Sequence, residues 1–130
     1  MGDEPQTDTS LETTGGASHP VPARFVGPAI TVVSPTGDLD TATAAPLRAA
    51  IGEQVAAGAK HVVLDLSGVD FMGSAGLALL IAERESAIAR EGELRLAGVP
   101  RTAGRALSLT GLTELFDTYP DADAAAAGLG

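Results

Sequence analysis

Residues 62 to 80 read VVLDLSGVDFMGSAGLALL, an apolar strand-like run that turns through Gly73-Ser74-Ala75-Gly76 into a helix-like stretch. A serine on such a turn can be a nucleophile, a phosphate acceptor or a helix cap. Nucleophilic catalysis requires more than the hydroxyl. The hydrolase elbow places glycines two residues to either side of its serine, whereas here Met72 holds the earlier position and the nearer glycine, Gly73, is adjacent. The chain has two histidines, His19 near the N-terminus and His61 at the start of the strand that leads to the turn. With an extended rise of about 3.3 Å per residue, His61 stands more than roughly 10 Å from Ser74, too far to act as its base. The chain is read as a non-enzyme.

Metal and anion chemistry find little more support. Asp38, Asp40, Asp65 and Asp70 have no histidine beside them and do not follow the spacing of a calcium loop. The chain contains no cysteine, which removes disulfides, thiolate ligands and thiol redox switching together. Free N–H groups at a helix start attract anions, but no lysine follows the glycines here. No cofactor is implied. The plainest role for Ser74 is a cap whose oxygen accepts an N–H two or three residues on, worth about 1 kcal/mol. Capping and recognition are compatible.

The elements that must position this turn follow from periodicity. Arg24 to Val26 and Ala29 to Ser34 read as two β-branched strands joined at Gly27-Pro28, a hairpin. Leu47, Ile51 and Val55 recur every fourth residue and predict a helix, with Thr43 as its N-cap and Pro46 in its first turn. His61 to Leu66 is too continuously apolar to alternate, so it predicts a central parallel strand buried on both faces. Beyond the turn, Leu77, Leu80, Ile81 and Ile88 form the stripe of a second helix that stops at Glu91-Gly92. Glu93 to Gly98 alternates as a strand, and Pro100 opens a third helix with Ala103, Ala106, Leu107 and Leu109 inward and Gly111 at its end. Leu115 to Tyr119 is a last short strand and Asp121 to Ala127 a final helical turn. Strands alternating with helices in this way imply a mainly parallel α/β layered domain, with no loop long enough for a deep pocket.

Length and charge bound the function. The 130 residues suffice for one core, and no apolar run approaches the 18 or so residues needed to span a bilayer. The N-terminus MGDEPQTDTS lacks the basic start and apolar stretch of a secretory signal, which places the chain in the cytoplasm, with no membrane partner. The formal net charge is -9. Much of it sits in tails without a base: Asp3, Glu4, Asp8 and Glu12 at one end, Asp117, Asp121 and Asp123 at the other. The middle is nearly balanced, and with one Tyr, three Phe and no Trp the chain offers neither the basic stripe nor the stacking platforms of a nucleic-acid binder.

GDLD (Gly37 to Asp40) before a helix, then the 62–80 stretch, then GELRLAGVPRTAGRALSLTGLTELFDTYPDADAAA, in this order and spacing, resemble the STAS domain of bacterial anti-sigma factor antagonists over roughly residues 24 to 127. The resemblance implies a STAS fold: a mainly parallel four- to five-stranded sheet with an N-terminal antiparallel hairpin strand and three to four helices packed on it. Residues 1–22, rich in Thr, Gly, Pro and acid, carry too little apolar surface to offset the entropy of ordering and predict a disordered acidic arm; the STAS domain is expected over 23–127 and a frayed C-terminus over 128–130. In that family the domain binds an anti-sigma factor, a serine kinase of the histidine-kinase ATPase fold, and frees a sigma factor for transcription. The antagonist is expected as a monomer or weak dimer.

The kinase of such systems switches the antagonist off by phosphorylating a serine at the start of the helix after the central strand, adding roughly -1.5 to -2 charge to a surface that must dock flush. The family's turn reads Asp-Ser-Ser-Gly or Asp-Ser-Thr-Gly, with the acceptor directly before the glycine. Here that position is Ala75, the aspartate is Gly73, and Ser74 matches the first serine, the remaining candidate phosphoacceptor. A shift of one residue turns the accepting oxygen about 100° around the helix. The resemblance also carries Asp40 to the partner-facing edge, where a turn-forming role competes with a docking one. The expected docking face is therefore Asp40, Met72, Gly73, Ser74, Ala75 and Gly76, with Leu77 turned to the core and Met72 the apolar contact. Three roles remain open: an antagonist without a serine switch, an interaction subunit of a transport or signalling assembly, and a module that binds a small anion or nucleotide at the helix start.

Overall fold

The computed structural model describes residues 21–129; the expected N-terminal arm lies outside the described residues up to position 20, as does Gly130. Val21 already packs against the core, and the Pro22 carbonyl accepts the Ser34 N–H at 2.9 Å. The chain then runs β1 (Ala23–Gly27), β2 (Ile30–Val33), β3 (Thr36–Leu39), α1 (Thr41–Ala56), β4 (His61–Asp65), β5 (Gly68–Met72), α2 (Ser74–Ala89), β6 (Leu94–Ala97), α3 (Arg101–Leu109), a 3-10 turn (Thr113–Leu115), β7 (Asp117–Tyr119) and α4 (Ala122–Ala126).

Five strands make one sheet in the order β1-β2-β4-β6-β7. β1 pairs antiparallel with β2, and the remaining neighbours are parallel. β4 is central, and Val62, Val63 and Leu64 are fully buried because both faces of the sheet are covered. Val62 and Leu64 join the main core with Leu47, Ile51 and Leu80 from α1 and α2. Val63 faces the other way, onto Ile30, Val32 and Ala97 under Ala125 of α4. Arg95 fastens that short helix, its Nη1 donating to the Ala125 and Ala127 carbonyls at 3.2 and 3.0 Å, with its guanidinium 5.1 Å from the Tyr119 ring centroid.

β3 and β5 form a separate two-stranded parallel ribbon, and β5 is an element that periodicity did not predict. Its register holds from Thr36↔Gly68 to Gly37↔Val69 and resumes at Asp38↔Phe71, so Asp70 is an extra residue in a bulge. Side chains alternate across a strand, and one inserted residue reverses which of them face inward.

Helix boundaries depart from expectation in physically clear ways. α1 starts two residues before Thr43: Asp40 is the N-cap, and Thr43 completes a capping box from the third helical position. Pro46 consequently stands in the second turn, where it deprives the Ala42 carbonyl of its intrahelical donor; both residues are exposed, so water reaches that oxygen. In α2 the buried seam is Gly76, Leu79, Leu80, Glu83 and Ala87, which keeps Leu80 of the expected stripe and adds four residues outside it. Leu77 and Ile81 flank it half-buried, and Ile88 is 56% exposed. In α3, Ala103 and Leu107 are buried but Leu109 is 75% exposed. α2 ends in a Schellman motif, with Gly92 N–H on the Ala87 carbonyl and Glu91 N–H on that of Ile88. Glu91 rather than glycine takes the left-handed conformation, φ 61°. Gly92 is required for another reason: a Cβ there would lie 1.9 Å from the Lys60 carbonyl oxygen.

Candidate functional site

The ribbon delivers two helix entrances side by side. β3 and β5 run parallel and end in the register pair Leu39↔Met72; the next residues, Asp40 and Gly73, are the N-caps of α1 and α2. The Gly73 N–H donates to the Leu39 carbonyl at 2.9 Å, fixing one entrance against the other. Gly76 allows their close approach, since a Cβ there would meet Leu39 Cβ and Met72 Cγ at 3.0 Å and the Leu39 oxygen at 3.1 Å. The fold thus brings Asp40 together with residues 72–76, which lie more than thirty positions away in the chain.

The entrances differ in chemistry. At α1 the Asp40 Oδ1 accepts the Ala42 and Thr43 N–H groups at 3.0 and 3.1 Å. Thr43 Oγ1 accepts the Asp40 N–H at 3.0 Å and donates to the Asp38 carbonyl at 2.6 Å, a reciprocal cap that also suits the positive end of the helix dipole. At α2 the N-cap is Gly73, in an extended conformation and without a side-chain cap bond. Ser74 is the first helical residue and is exposed; its hydroxyl does not cap the helix, contrary to expectation, because a hydroxyl must sit at the N-cap to reach the N–H groups ahead of it. Ala75 is half-buried and Gly76 buried.

Met72 is corrected more sharply. It is 5% exposed and part of the main core, so its side chain is not the apolar contact expected on the docking face. The Asp70 bulge is the reason: it keeps Val69 and Met72 inward and turns Phe71 out, 53% exposed. Sequence reasoning did not single out Phe71, because β5 was not predicted as a strand and its bulge arises in a pairing with β3 that spacing along the chain does not show. The bulged segment is tied at its back to α3, where Thr102 Oγ1 donates to the Asp70 carbonyl at 3.1 Å.

Other chemistry-bearing groups stand elsewhere. His61 Nδ1 accepts the Glu93 N–H at 3.1 Å, a structural bond at the start of β4, and burial lowers the imidazole's pKa from its ordinary value. Glu83 is 8% exposed in the α2 seam, where desolvation raises its carboxyl pKa against the opposing pull of Arg48 and Arg90. An open groove of about 300 Å³ lies between Arg84, Ile88, Leu94 and Leu115, ten residues or more along α2 from Ser74 and hence at least roughly 15 Å away. Among the described residues no group of three or more His, Asp or Glu is placed to hold a metal, and no helix is long and apolar enough to cross a membrane.

Comparison with known proteins places the domain in a family. The family profile of the STAS domain matches residues 23–125. The anti-sigma-F factor antagonist RsfB of Mycobacterium tuberculosis is 38% identical over 96 residues, 72% of this chain and 78% of the relative. A crystal structure of an anti-sigma factor antagonist from Mycobacterium paratuberculosis superposes with a TM-score of 0.70 at 34% identity, covering 86% of this chain and 97% of that one. A sulfate transporter family protein from Wolinella succinogenes has a TM-score of 0.68 at 21% identity, covering 78% of this chain and 85% of that one, a likeness of fold alone.

Proposed function

Because the chain belongs to the STAS-domain family, we propose that it is an anti-sigma factor antagonist working in the cytoplasm, which binds a kinase-fold anti-sigma factor through the paired helix entrances and so releases a sigma factor. The observation that carries the reading is the pairing of the two helix entrances, with the Gly73 N–H on the Leu39 carbonyl and an exposed Ser74 beside them; by the resemblance, Ala75 takes the position of the family's phosphoacceptor. With a methyl at that position the docking face keeps one charge state. Control passes to the amounts of antagonist and partner, or to another ligand. Ser74 is a poor substitute acceptor, since its oxygen points about 100° away around the helix.

The kinase-fold anti-sigma factors of the organism that encodes the chain supply the test. Pull-down with and without ATP is expected to recover one of them equally in both conditions, and the intact mass of the antagonist should not change after incubation with kinase and ATP. Ala75→Ser should then gain one phosphate and release the partner when ATP is present. Phosphorylation of the wild-type chain at Ser74 would overturn the absence of the switch, and capture of no anti-sigma factor would overturn the antagonist role. A second reading, an interaction subunit of a transport or signalling assembly, is favoured by the same Ala75, because such a subunit needs no acceptor hydroxyl.

A further inference from the structure

The geometry points to Phe71 as the anchor of the docking face: the anti-sigma factor it fits presents an apolar socket for one aromatic ring, rimmed by arginine or lysine. This inference rests on the antagonist reading and adds what the partner must look like. Three observations converge on it. The first is the bulge. Without the extra residue at Asp70, β5 would carry Phe71 into the core with Val69; the inserted residue turns the ring to solvent instead, 53% exposed. Bulges of this kind re-aim side chains next to functional sites, and exposing a phenyl ring forgoes one of the larger burial gains open to a small domain.

The second is the seat of the ring. Phe71 Cε2 lies 3.3 Å from where a Cβ of residue 73 would be, so the ring rests over the bare backbone of Gly73, and a larger side chain there would press against it. The third is charge. Asp38 is the register partner of Phe71, Asp70 is its neighbour in the chain, and both are exposed; Asp40 stands at the adjoining cap. An aromatic anchor inside a polar rim is the usual anatomy of an interface hot spot, and a carboxylate rim selects a cationic counterpart and speeds its approach.

The test uses the full chain and the anti-sigma factor recovered by pull-down. Affinity, association rate and melting temperature are measured for the wild type, Phe71→Ala, Phe71→Leu, the double variant Asp38→Asn/Asp70→Asn, and Leu109→Ala as an exposed apolar control on α3. Phe71→Ala is expected to weaken binding roughly thirtyfold, the size of a hot-spot loss, with its melting temperature close to wild type. Phe71→Leu should retain most of the affinity. The double variant should slow association and flatten its dependence on salt while leaving the melting temperature in place, which tests the rim without touching the ring. Binding of Phe71→Ala within threefold of wild type, an equal loss in Leu109→Ala, or a salt dependence unmoved by the double variant would overturn the inference while leaving the antagonist reading intact. Failure of the wild type to bind any anti-sigma factor is a different result and removes that reading itself.

Discussion

Asp40 does two jobs that one pair of substitutions can separate. Its Oδ1 holds the Ala42 and Thr43 N–H groups, and its charge sits at the positive end of α1. Replacing it with alanine removes both. Losing the cap costs about 1 kcal/mol and losing the helix-end charge about 0.5 kcal/mol, so Asp40→Ala is expected to be destabilised by roughly 1.5 kcal/mol. With an unfolding entropy of about 2.1 cal/mol/K per residue over about 100 folded residues, that corresponds to a fall of about 7 °C in Tm. Asp40→Asn keeps an oxygen in the capping position and loses only the charge, so its Tm should fall by about 2 °C. Differential scanning calorimetry reads both. If Asp40→Ala melts within about 2 °C of wild type, or Asp40→Asn falls as far as Asp40→Ala, the capping argument is refuted. Affinity for the anti-sigma factor then isolates the second job: a carboxylate that meets the partner makes Asp40→Asn bind weakly despite its nearly intact stability.

Two further outcomes follow from the site and the seam. Ser74→Ala should leave stability within about 0.5 kcal/mol of wild type by denaturant titration, the range of an ordinary surface substitution, because the hydroxyl caps nothing; a loss of about 1 kcal/mol or more would show that it caps α2 after all. Glu83 carries a raised folded-state pKa caused first by desolvation, so its charged form disfavours the fold at neutral pH. As pH falls through that raised value the folded chain takes up a proton more readily than the unfolded one and the penalty is relieved. Glu83→Gln is therefore expected to melt above wild type at pH 7 to 8, with the gap closing as pH falls toward the ordinary glutamate value. A variant less stable than wild type at pH 8 would mean that Arg48 and Arg90 outweigh burial.

How much of this was legible depended on whether the governing contacts were local. The helical face of Leu47 and Ile51 could be read from spacing alone, and the unbroken apolar run of β4 announced a strand covered on both sides. The five-residue β5 could not be read that way, because its partner β3 lies some thirty residues upstream and its bulge breaks the alternation that would have revealed it. The same bulge exchanged Met72 for Phe71 at the surface. Thr43 was mistaken for the cap because Asp40 and Thr43 act as one reciprocal unit, and either end of a capping box resembles an N-cap. In α2 the run Leu77 to Ile81 is apolar nearly all round, so periodicity alone could not choose the seam. Asp40 and Ala75 were placed through likeness to a family; the ribbon supplies the physical reason that they are neighbours.

The helix that closes the second sheet face has a consequence for biosynthesis. Ile30, Val32, Val63 and Ala97 are covered by residues 122–126, so throughout translation of the earlier strands that greasy surface has no lid. A five-residue helix is far too short to persist unaided, and its docking depends on Arg95 reaching its last carbonyls. Nascent chains stalled before Asp121 should therefore be the form that chaperones hold, and shortening the chain at that end should harm solubility long before it touches the surface that meets a partner.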